Sequence, residues 1–125
     1  MKTSITNAIA AEAKANMDAL MAKGQGMNFQ VLCSLRAGRG GPEGKALIRA
    51  WENENEIMEA AKRIERCIER AKRDLDEALE YVQTNHPRGL NPCGILQSTN
   101  QELDRAVAEL RIRLGDRKWY AELLG

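Results

Sequence analysis

Apolar residues recur at steps of three and four through one long stretch, from Pro42 to about Thr84. Leu47, Ala50, Ile57, Ala61, Ile64, Ile68, Ala71, Leu75, Ala78 and Val82 fall on a single seam, and Glu54 is the polar residue in that register. Such spacing, held this far, predicts one uninterrupted helix of about 40 residues, roughly 60 Å long at ~1.5 Å per residue. It also calls for another helix along the seam. The outward positions carry opposite charges four apart: Glu59 with Arg63, Glu69 with Arg73, Lys72 with Asp76, and Arg73 with Glu77. Each pair contributes only about 0.2–0.5 kcal/mol, so together they mark a solvated face.

Shorter elements flank this one. Ser4 to Lys23 predicts a first helix, with Thr3 or Ser4 as its cap, Gly24 as its stop, and Ile5, Ile9, Ala13, Met17 and Leu20 on one face. Met27 to Arg36 fits both strand alternation and a helical turn pair. A lone strand finds no partner elsewhere, which favours a short helix. Ala37 to Lys45 is a glycine-rich loop whose Pro42 suits the first turn of the long helix. His86-Pro87 stops that helix, and Arg88 to Gln97 reads as a loop. Thr99 and Glu102 then match a capping box opening a helix to about Leu114, with Leu103, Val107, Leu110 and Leu114 as its stripe. Gly115 ends it, and Asp116 caps a last short helix with Trp119, Tyr120, Leu123 and Leu124.

The expected fold is therefore all-α: one domain, residues 1–125, organised on a central helix over 42–84 with shorter N- and C-terminal helices along it. Those helices match its two halves in length, so a monomer is one solution. The other is a homodimer in which the central seam pairs with its own copy, antiparallel, with Ala50, Ala61, Ala71 and Ala78 allowing close approach. Trp51, Met58, Cys67 and Leu79 widen the apolar face beyond the seam, which favours the dimer.

Composition narrows the classes. Charged residues are 30% and hydrophobic ones 43%, against disorder, while aromatics are only 4%, which suits helices over sheets. A net charge of +1 gives no global basic field. Cys33, Cys67 and Cys93 are an odd, unpaired set, pointing to a reducing compartment. No signal-like or membrane-spanning run is present, so the expected location is cytoplasmic, with no membrane partner.

Candidate chemistry is thin. In the glycine-rich loop, Arg36, Arg39 and Lys45 surround a helix start, an arrangement that suits a phosphate. Yet Arg39 stands where a Walker-type loop needs glycine, and Ala46 where it needs Ser or Thr. The plainer reading is a flexible connection. Arg113 and Arg117, with Arg105, Arg111 and Lys118 beside Trp119 and Tyr120, form a second basic cluster for nucleic acid, diluted by Asp104, Glu109, Asp116 and Glu122. Trp119 and Tyr120 more often anchor a terminal helix onto a core or onto a partner protein. Glu52, Glu54 and Glu56 form an acidic patch whose plainer reading is an exposed run; the alternative is a docking patch for a basic partner surface, where Glu54 would fix register. The cysteines and His86 lack metal-ligand spacing, and nothing orients His86 toward Cys93 for catalysis. No cofactor or metal is expected. The leading expectation is a non-enzymatic interaction protein, an adaptor or stoichiometric inhibitor of a partner protein in the style of phage or mobile-element modulators. Its docking residues are Glu52, Glu54, Glu56, Trp119 and Tyr120. The alternative is a nucleic-acid or nucleotide binder using Arg36, Arg39 and Lys45, with Arg113 and Arg117.

Overall fold

One helix of 43 residues, α2 (Gly41–Gln83), forms the spine of the molecule. The structure is a computed structural model and describes residues 4–23, 37, 41–83 and 92–125. The segment 27–36, the loop arginines Arg36 and Arg39, and His86 lie outside these residues. α1 (Ile5–Lys23) and α3 (Pro92–Asp116) both pack on α2 and scarcely on each other. A 3-10 turn (Arg117–Tyr120) and a one-turn helix, α4 (Ala121–Leu124), finish the chain. Among the described residues there is no strand.

Side-chain pairings set the directions. Ser4 and Thr6, at the start of α1, donate to Glu65 in the middle of α2. Asn16, near its end, meets Glu54. α3 runs the same way, with Thr99 opposite Asp74 and Arg113 opposite Asn53. Both outer helices are therefore antiparallel to α2, but they cover different lengths of it. α3 follows it through Asp74, whereas α1 stops at Glu65.

The core forms where three helices meet. Ala13, Ile57, Ala60, Ile64, Ala106 and Leu110 make one buried layer, with Ile9, Met58, Ile68 and Leu103 packed around it. Alanines on all three helices let the backbones close on Ile57 and Ile64, each worth about 1.5–3 kcal/mol when buried. A second layer joins Leu20, Ala50 and Tyr120, closed by Leu47, Trp51, Leu123 and Leu124. This layer ties the C-terminal turn to the start of α2.

Several local expectations are corrected here. Ser4 caps α1 as read, its hydroxyl accepting from the amide of Asn7 at 3.1 Å. α2 opens at Gly41 with Pro42 in its first turn, as read, and Gly41 has φ of +66°, a left-handed conformation that glycine adopts without Cβ strain. Thr99 caps nothing. It is buried inside α3, which begins at Pro92, and its hydroxyl lies 3.4 Å from Asp74. Glu102 accepts from Arg70 across the interface instead of reaching back along its own helix. Asp116 makes no cap either, because its backbone stays helical and the chain tightens straight into the 3-10 turn. Ile5 is exposed although it belongs to the apolar face of α1.

The seam itself is filled from within. Ala50, Ile57, Ala61 and Ile64 are buried, and Cys67, which widens the apolar face beyond the seam, is also buried, beside Glu102 of α3. Within one chain, α1 and α3 thus already cover the seam as far as Cys67. Past Glu65, α2 keeps α3 on one side and has no α1 on the other. Leu75 and Leu79 there are 49% and 60% exposed.

Candidate functional site

Glu54 interrupts the seam, and the structure builds a polar cluster around it. Its side chain is fully buried, with 0% exposure. Oε1 accepts from Asn16 Nδ2 at 2.6 Å and from Arg117 Nη2 at 2.8 Å. Oε2 accepts from Arg117 Nε at 3.1 Å and from the Tyr120 hydroxyl. Four donors thus occupy the roughly four lone-pair sites of a carboxylate. Arg117, only 19% exposed, also reaches Glu12 at 3.3 Å. Asn53 donates through Nδ2 to the Tyr120 oxygen at 2.7 Å and to the Arg113 carbonyl at 2.8 Å. One acidic residue of α2 therefore locks α1 and the C-terminal turn in place.

Electrostatics follow from that geometry. Burial alone would lower the Arg117 pKa, but the hydrogen bonds and charge of Glu54 outweigh it and raise it, so the guanidinium stays charged. Burial pushes the Tyr120 phenol well above its usual 10.0. Asn53 pulls it back, and Glu54 raises it further. An acid whose folded pKa lies above its unfolded value contributes stability that is complete below the unfolded value. That contribution is lost as pH rises through the folded value. Wild-type stability is thus expected to fall relative to Tyr120→Phe as pH climbs above about 10. Urea unfolding of both proteins across that range checks it. Parallel pH profiles would contradict it.

A cleft of about 360 Å³ opens beside the cluster, between α2 and the end of α3. Arg49, Trp51, Glu56, Arg113, Asp116 and Trp119 line it, along with Glu52 and Asn53. The Arg49 guanidinium sits 5.0 Å over the Trp119 ring, which makes a T-shaped contact with Tyr120, ring centroids 4.8 Å apart and planes at 77°. Arg113 is held by Glu109 at 2.8 Å. Charges of both signs share the walls, so the cleft has no single electrostatic preference.

The predicted residues divide unevenly. Glu54 and Tyr120, expected at a partner surface, are buried against each other. Arg117, expected to hold an anion, holds Glu54 instead. The structure therefore joins members of two separate groups into one internal cluster. Glu52, Glu56, Arg113 and Trp119 line the cleft. Lys45 is exposed on the first turns of α2, apart from the cleft lining. Sequence reasoning missed Asn16, Asn53 and Arg49. Asn16 does fall on the buried face of α1 between Ala13 and Leu20, and a polar residue at such a position marks a partner across the interface. Among the described residues, no group of three His, Cys, Asp or Glu is placed to hold a metal ion. None of their helices is long and apolar enough to cross a membrane. Comparison with protein-family models, with curated proteins and with solved structures finds no match to this chain.

Proposed function

We propose that this chain is a non-enzymatic helical interaction protein, an adaptor or stoichiometric modulator of a protein partner. One observation carries the reading: the apolar track of α2 outlasts the helix that covers it. Leu75 and Leu79 stand exposed on a helix whose other half is clamped in a three-helix core. Apolar side chains grouped on a rigid surface suit docking, since no loop must be ordered when a partner binds. The saturated carboxylate of Glu54 supports the same reading, because its lone pairs are spent on the fold.

Affinity capture from the native host, with the full chain and its Leu79→Asp variant as baits, tests this. At 60% exposure, Leu79 is expected to tolerate aspartate with a stability change within about 0.5 kcal/mol. The wild type is expected to retain a protein that the folded variant loses. Identical recoveries from both baits would count against docking at this flank.

A further inference from the structure

We propose that the open flank of α2 beyond Glu65 is the interface to a second copy of this chain, paired antiparallel about a two-fold axis near Asp74. The inference rests on the interaction-protein reading and names its occupant. It also differs from pairing along the whole seam, which α1 and α3 already fill as far as Ile64.

Charge order along the helix identifies the occupant. Residues 62–73 carry six bases, of which Arg70 is held by Glu102 of α3 and Lys62, Arg63, Arg66, Lys72 and Arg73 remain, against two acids, Glu65 and Glu69. Residues 74–80 carry no base; Asp74 faces Thr99 of α3, and Asp76 and Glu77 are exposed acids. A parallel pair would set base against base and acid against acid. An antiparallel pair centred near Asp74 sets the basic stretch of each copy against the acidic stretch of the other, and brings Lys72 level with the partner's Asp76. A two-fold interface must be complementary to itself, and this charge order meets that condition.

Packing points the same way. α1 already lies antiparallel on α2 and ends at Glu65, so a second α2 continues that track in the same direction. Leu75 and Leu79 supply exposed apolar contacts, and half-buried Ile68, Ala71 and Ala78 keep the surface narrow enough for close approach. The stretch of α2 beyond the reach of α1, from about 66 to 83, is only about 27 Å long. A contact of this size belongs with small, transient interfaces, so the dimer is expected to form in the micromolar range and to dissociate on dilution.

The test uses three full-length variants whose changes fall on exposed positions: an acidic one, Lys72→Glu with Arg73→Glu; a basic one, Asp76→Lys with Glu77→Lys; and an apolar-to-charged one, Leu75→Asp with Leu79→Asp. Sedimentation velocity over a dilution series reads the mass, and circular dichroism confirms that each variant keeps its helicity. The wild type is expected to dimerise at a concentration where all three variants stay monomeric. Mixing the acidic and basic variants in equal amounts is expected to restore a dimer of one of each. A wild type that is monomeric throughout, a Leu75→Asp/Leu79→Asp protein that still dimerises, or a mixture no more dimeric than its components would each overturn the proposal. A monomeric wild type that still loses a host protein on Leu79→Asp would overturn the dimer alone and leave protein docking standing.

Discussion

Glu54→Ala is expected to destabilise the fold by about 3–5 kcal/mol, the range for breaking one side of a buried ion pair. The cost lies in what remains. Arg117 is largely buried, and without Glu54 its guanidinium keeps, among the described residues, the long contact to Glu12. The hydroxyl of Tyr120 and the amide of Asn16 lose their acceptor at the same time. Since a domain of this size is stable by only about 5–15 kcal/mol, one substitution removes a large part of the margin. Urea unfolding measures it directly. Replacing Glu54 and Arg117 together with leucine is expected to cost less than Glu54→Ala, because no charge is then left buried. A loss below about 1 kcal/mol for Glu54→Ala would mean that the cluster does not hold α1 and the C-terminal turn to the spine.

Ile57→Ala is the second large effect, at about 2–5 kcal/mol and toward the upper end. Ile57 is fully buried in the layer where all three helices meet. Three of its cluster neighbours, Ala13, Ala60 and Ala106, are alanines, with no flexible side chain to fall into the space left behind. The cavity term therefore persists. Leu79→Ala removes as large a side chain from the same helix, yet is expected to change stability by no more than about 0.5 kcal/mol. Comparable losses at Ile57 and Leu79 would place the core elsewhere on α2.

The spine was legible because a spacing of three and four over ten apolar positions leaves no other element that satisfies it. The two outer helices were legible for the same reason, over shorter runs. The start of α3 was not. Proline fits a first helical turn as well as a loop, glycine inside a helix costs only about 1 kcal/mol, and Thr99-x-x-Glu102 imitates a cap wherever it falls on a helix. Tertiary partners decided that case, with Asp74 and Arg70 engaging the two residues that seemed free to cap.

Glu54 was visible as a break in the seam, but its partners were not. Asn16 is 38 residues away in sequence, and Arg117 and Tyr120 are 63 and 66 away. Local charge patterns placed Glu54 and Tyr120 on a partner surface and Arg117 in an anion site, because both patterns assume solvent exposure. Burial pairs them with one another. The exposed flank was hidden for a related reason. Its extent depends on where α1 lands along α2, and that offset is set by three-dimensional packing and not by the periodicity of either helix.

The most direct test of this account is amide hydrogen exchange of the full chain at two concentrations, one well below and one well above the dimerisation range. Exchange reports local opening along the backbone, and helix surface left uncovered opens more readily than a packed core. Residues 50–64 of α2 are expected to be strongly protected at both concentrations. Residues 68–80 are expected to exchange faster in the dilute sample and to slow markedly in the concentrated one. Protection of 68–80 that equals the core and ignores concentration would contradict an open flank that a second copy covers.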